Sequence, residues 1–171
     1  MPKEEFTDAI ALLKADHREV EELFEKFENA SGKERKQKLA EQICTELKIH
    51  SMIEEEIFYP ALDGKIDDDL LKEAYVEHDG AKVLINDIMA TGPEDEFFAA
   101  KVTVLCEEIA HHIKEEEKPK DGLFAQARET GADLKAMRDQ LMTRKQELMA
   151  QMEDGGLPPA QLAAVHVEVM A

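Results

Sequence analysis

Four histidines occupy positions where a helical apolar stripe would ordinarily carry leucine: His17, His50, His78 and His112. Two of those stripes carry a glutamate one turn later, Glu54 after His50 and Glu116 after His112. Taken singly, such a histidine is most often a hydrogen-bonded core residue, and an acidic run such as Glu54-Glu55-Glu56 is most often a solvated face. Six intrusions sharing depth, phase and order need a common cause, because a buried, uncompensated carboxylate costs on the order of several kcal/mol. Imidazole and carboxylate without thiolate suit iron, manganese or zinc. Four imidazoles and two carboxylates exceed the needs of one ion, whereas two carboxylates between two histidine pairs can each bridge two. The metals then offset the charge that would forbid burial, and positions stay open for water, dioxygen or peroxide. The reading is a carboxylate-bridged pair of iron ions, with manganese or zinc as substitutes.

These residues must be presented by helices. The composition is rich in Ala, Leu, Glu and Lys, and no stretch alternates at period two. A first stripe runs Phe6, Ile10, Leu13, His17, Val20, Phe24, Phe27 and ends near Ser31-Gly32. A second, Leu39, Ile43, Leu47, His50, Glu54, Ile57, is expected to stop at Pro60. A third begins near Asp67–Asp69, runs Leu71, Ala74, His78, Ala81, Ile85, Ile88, and ends at Gly92-Pro93. The fourth, Phe98, Val102, Leu105, Ile109, His112, Glu116, breaks at Pro119 and Gly122. A fifth amphipathic segment carries Leu134, Met137, Leu141, Leu148 and Met152, closed by Gly155-Gly156 and Pro158-Pro159. Short connections join antiparallel neighbours, so the expected fold is all-α, an up-down-up-down four-helix bundle with an additional C-terminal helix. The bundle is placed at residues 1–130, the helical extension and tail at 131–171. His17 to His50 is 33 residues and His78 to His112 is 34, so each half supplies one histidine helix and then one HxxxE helix. Residues four apart on a helix differ by about 40° in azimuth, which aims both groups of each HxxxE at the bundle axis.

The 171 residues are 43% hydrophobic and 35% charged, enough to bury a core. The net charge of −18 opposes nucleic acid and anionic membrane surfaces as partners. The N-terminus is charged throughout, with no apolar stretch of signal-peptide length, and the protein is read as cytoplasmic. Cys44 and Cys106 form no CxxC pair, which excludes a disulfide scaffold and disfavours a cysteine zinc site.

At the six core residues the chain resembles the hemerythrin-like family, specifically the HHE cation-binding domain. The family's pattern, His … HxxxE … His … HxxxE on successive helices, is met by His17, His50 with Glu54, His78, and His112 with Glu116. The segment HSMIEEEIFYPAL is similar to the family's continuation after the first HxxxE, and the resemblance spans roughly residues 5–130. It implies a hemerythrin-like bundle with a di-iron centre that binds dioxygen, nitric oxide or peroxide. The chain departs from the oxygen carriers, which have a second histidine on the third helix. Ala74 and Lys82 stand four residues either side of His78, and Glu117 stands where those proteins use an aspartate. After Glu116, EKPKDG intervenes before Leu123-Phe124. The ferritin-like alternative is set aside because no ExxH occurs at the core phase.

His111 is read as a solvent-side or second-sphere residue, with a fifth-ligand role as its alternative. His166 is read as a tail residue. Tyr75, three residues before His78, either packs or meets a bound oxygen species. Glu55 and Glu117 are expected to matter little. The Met-rich fifth helix is read as packing surface, leaving a monomer or a homodimer through that helix. Three functional readings stay open: a binding module for sensing, buffering or stress protection; an enzyme consuming peroxide; and a metal-free interaction bundle.

Overall fold

The computed structural model describes residues 6–167, and among them every regular element is helical. Helix α1 (Ala9–Asn29) starts where the Asp8 side chain accepts a hydrogen bond from the Ala11 amide at 2.9 Å. Phe6, read as part of its stripe, precedes the helix and packs on the core from outside. Helix α2 (Lys33–Ile53) opens after Gly32, whose φ of 91° suits glycine, and α3 (Asp68–Thr91) is capped by Asp67. Helix α4 spans Phe98–Glu117.

Helix α2 does not stop at Pro60. A π-helical turn (Glu54–Phe58) follows it, and a last α-turn, Tyr59–Leu62, carries the chain through the proline. In the wider turn the Tyr59 amide bonds to the Glu54 carbonyl five residues back. That widening relieves the clash a proline ring makes with the carbonyl four residues earlier.

A short helix, α5 (Leu123–Glu129), follows the break after α4. The turn that starts it requires Gly122, because a Cβ there would lie 2.5 Å from the Lys118 carbonyl oxygen. Helix α6 (Leu134–Asp154) lies against α1, α2 and the π-turn. Its Met137, Leu141, Met142 and Leu148 are buried in one cluster with Ile10, Leu13, Ile53 and Phe58. The apolar face considered for a homodimer is therefore covered within the chain.

Two apolar clusters divide the interior. One gathers Leu13, Ile53, Ala74 and Leu123, and the other gathers Val20, Leu47, Ala81 and Ile113. Along α1, α2 and α3, the turn between the clusters belongs to His17, His50 and His78. On α4 the same layer holds His112 and Glu116. The apolar layers set helix spacing above and below, so the polar layer between them has a fixed width. No helix among the described residues is long and apolar enough to cross a membrane.

Candidate metal centre

All six side chains singled out in the sequence meet in that layer, and all are buried. They fall into two groups whose ligating atoms lie within 4.8 Å of one another. Glu54, His78, His112 and Glu116 form the first, and His17, His50 and Glu116 the second. Glu116 is common to both, and Glu54 Oε1 also lies 2.9 Å from His50 Nε2.

Four of the atoms facing inward have nowhere to place their lone pairs. His17 Nε2, His50 Nε2, Glu54 Oε2 and Glu116 Oε1 are buried and lack any hydrogen-bond partner. Close approaches such as His50 Nε2 to Glu54 Oε1 therefore lack the direction of a hydrogen bond. His78 Nε2 and His112 Nε2 stand 3.1 Å apart. Orphaned acceptors converging from α1, from α2 with its π-turn and from α4 fit a cation, since a buried acceptor left unpaired costs roughly 1–3 kcal/mol.

The outward nitrogens follow one rule. Asp16 of α1 holds His50 Nδ1 at 2.9 Å, and Glu55 of the π-turn holds His78 Nδ1 at 2.8 Å. Glu77 of α3 holds His112 Nδ1 at 2.9 Å, and Glu117 of α4 holds His17 Nδ1 at 2.7 Å. Each helix thus gives the histidine of the next helix a carboxylate adjacent in sequence to one of its own inner residues, and the ring closes on α1. A carboxylate on Nδ1 fixes the tautomer that leaves Nε2 free to ligate and raises its basicity. Behind the ring stand cations: Lys145 on Asp16 at 2.6 Å, Lys82 on Glu55 at 2.8 Å and Arg18 on Glu117 at 2.5 Å. His111, exposed, stands 3.1 Å from Glu77.

This arrangement makes the interior strongly negative. Two inner and four outer carboxylates face three fixed cations, an excess of three negative charges that a pair of divalent ions more than offsets. The titration directions report the same field. Burial alone would lower His50, but Glu54 and Asp16 override it and hold His50 at about 10. His112 is held well above its ordinary value, where Glu116, Glu54 and Glu77 outweigh burial. Burial would raise Glu54, yet His50, His112 and His78 hold it well below the usual carboxylate range.

One inner residue was missed by sequence reasoning. The hydroxyl of Tyr59, fully buried, lies 3.3 Å from Glu54 Oε1, 3.2 Å from His78 Nε2, 3.4 Å from His112 Nε2 and 3.4 Å from Glu116 Oε2. It has one proton for four acceptors. Burial, then the Glu116 and Glu54 charges, pushes this phenol well above its ordinary value. Tyr75, the tyrosine weighed from the sequence, packs against the Tyr59 ring with centroids 5.2 Å apart. In an α-helix, Tyr59 would sit about 140° from Glu54; the π-turn brings it to the same side. On the other half, Phe124 of α5 stacks on His17 at 5.7 Å.

Three further readings meet the structure here. Glu55 and Glu117, expected to matter little, each hold a histidine. His111 belongs to neither ligand group and reaches the centre only through Glu77. His166 is exposed in the tail and belongs to neither group. Beside the histidines lies a cavity of about 20 Å³, roughly one water in size, lined among others by Val20, Leu47, His50 and Ile113.

A profile of the hemerythrin HHE cation binding domain matches residues 8–119. A curated relative from Nostoc sp., named a DNA nickase, is 28% identical over 117 residues, covering 68% of this chain. The chain spans 32% of the length of that relative. A solved structure of an HHE cation binding domain-containing protein from Mycobacterium kansasii aligns with a TM-score of 0.67. It is 21% identical and covers 89% of this chain and 96% of its own, a likeness of fold.

Proposed function

The chain belongs to the hemerythrin HHE cation binding domain family, and from that membership we propose that its core holds two iron ions and binds a small ligand. The observation that carries this reading is the pair of ligand groups sharing Glu116, with four buried inward atoms left without partners. His78, His112, Glu54 and Glu116 would hold one ion, and His17, His50 and Glu116 the other. All-nitrogen-and-oxygen ligation favours iron, with manganese or zinc able to take the same donors. Iron so held supplies reversible redox chemistry and Lewis acidity toward dioxygen, nitric oxide or peroxide. The apolar-walled void beside the histidines suits ligands of that size. The role is sensing, buffering or protection against oxidative stress.

A second reading, an enzyme that consumes peroxide, is favoured by Tyr59. Its hydroxyl is placed to hold a proton at the centre of four acceptors. The protein is proposed to be cytoplasmic, with residues 1–130 as the metal-holding bundle and 131–171 as a C-terminal helical extension and short tail. No nucleic-acid partner is proposed. The chain spans only a third of the Nostoc relative, and a charge of −18 repels a phosphate backbone.

The test is metal content with an optical spectrum, before and after azide and peroxide. About two iron ions per chain are expected from iron-replete preparations; one or none would sink the dinuclear reading. Net peroxide consumption would select the second reading over the first.

A further inference from the structure

Beyond α6 the chain turns back across α2 and α3 without regular structure, and polar anchors hold it there. The Asn86 amide donates to the Ala160 carbonyl and accepts from the Ala160 amide, both at 2.8 Å. Asp79, fully buried, accepts from the amides of Ala163, Ala164 and Val165 at 2.8, 2.7 and 2.7 Å. Little apolar packing assists these anchors. Cavities of about 320 and 400 Å³ flank the segment where it crosses the helices.

Lys82 joins this segment to the metal centre. Its ammonium is buried and has three protons. They reach Glu55 Oε1 at 2.8 Å, the Gln161 carbonyl at 2.9 Å and Asp79 Oδ1 at 3.3 Å. The other oxygen of Glu55 holds His78 Nδ1. The remaining outer carboxylates are backed by α6, by α1 and by His111.

We propose that residues 157–165 are a strap that tightens the His78 quadrant of the metal centre, with Asp79, Lys82 and Glu55 as positioning residues. This rests on the metal reading above. While the strap is docked, three amides saturate Asp79, and Lys82 is shared toward Glu55. Once it lifts, Asp79 loses those donors and draws Lys82 to itself. Glu55 then loses its cation, and His78 is oriented less firmly. Coupling of this kind is reciprocal, so metal must also hold the strap down.

The test uses the full chain loaded with ferrous iron under argon. Ala164→Pro removes one amide donor to Asp79 without touching a ligand, and Asn86→Ala removes a second anchor. Hydrogen exchange at residues 163–165 reports whether the strap is docked, and transfer to excess chromogenic chelator reports iron release. Both variants are expected to raise strap exchange and to speed loss of iron about 10-fold, the low end for outer-sphere changes. In the wild type, iron should slow strap exchange relative to the metal-free protein. A generally loosened fold would not produce that second effect. A strap freed with unchanged iron release, a strap still docked in both variants, or strap exchange indifferent to iron would each overturn the strap alone. A wild type that takes up no iron would overturn the metal reading and the strap with it.

Discussion

The His78–His112 half and the His17–His50 half come from the same pseudo-repeat and end in different company. Around His78 and His112 stand two glutamates and the Tyr59 hydroxyl, and both inward nitrogens have a neighbour within hydrogen-bond range. Around His17 and His50 stand Glu116, one oxygen of Glu54 and an aromatic wall, Phe124, and both inward nitrogens lack a hydrogen-bond partner. In the first half the protein itself meets both histidine nitrogens. The second is short of donors and acceptors, so it is where an added ligand would gain most. The difference arises from one extra residue in the π-turn, which places a tyrosine on one side of the layer only. Chemical asymmetry in a repeated scaffold can thus come from backbone geometry while the ligand motif stays the same.

The largest expected effect comes from the residue both halves share. Glu116→Ala should cut metal content from about two ions to below one, because each group loses a ligand. Glu54→Ala should empty mainly the Tyr59 side. Plasma emission metal analysis checks both, and equal losses would erase the distinction between the halves. Metal removal from the wild type should come next. It leaves Glu54 and Glu116 buried without a cation, a cost of about several kcal/mol. For a chain of this size each kcal/mol moves Tm by roughly 2–4 °C, so the metal-free protein should melt roughly 10 °C lower by calorimetry. Identical melting would mean that these glutamates are not ligands.

Smaller effects belong to the outer ring. Asp16→Asn and Glu77→Gln keep shape and remove charge behind His50 and His112, and each should weaken metal binding about 10- to 100-fold in chelator competition. Tyr59→Phe should keep about two ions while shifting the optical spectrum and strengthening azide binding. A variant indistinguishable in its azide titration would place the exogenous ligand wholly on the His17 side.

Much of this was legible beforehand. Helical phase alone put His17, His50, His78, His112, Glu54 and Glu116 in one layer, because an α-helix repeats faithfully and each side chain's depth follows its neighbours'. Tyr59 was not legible, since phase counted at 100° per residue fails across a π-turn and Pro60 argued for an earlier stop. Asp16, Glu55, Glu77 and Glu117 were hidden for another reason. Each flanks the inward stripe and meets a histidine of a different helix, so its partner depends on how helices stand side by side. A signal was nevertheless present: every one of the four ligand helices bears an acid adjacent to an inner ligand. The strap was invisible because its contacts are made by backbone amides, which carry no residue identity.

His111 and His112 give the finest test, since one residue separates them and the structure separates their roles. His112 is buried, its Nε2 2.6 Å from Glu116 Oε1, and its other nitrogen is held by Glu77. His111 lies about 100° round the helix, with 64% of its side chain exposed and only the far oxygen of Glu77 in reach. An exposed pair of that kind is worth roughly 0–1 kcal/mol before any effect is relayed to the metal. Helix α4 stays regular to Glu117, and Pro119 lies beyond its end, so nothing rotates His111 inward. His112→Ala should therefore lower metal content on the Tyr59 side. His111→Ala should keep both ions and change chelator competition by less than about 5-fold, the equivalent of 1 kcal/mol. Its small effect should vanish in a Glu77→Gln background, because among the described residues Glu77 is the side chain that links His111 to the centre. If His111→Ala instead removed an ion, the assignment of His112 over His111 as the α4 ligand would be reversed.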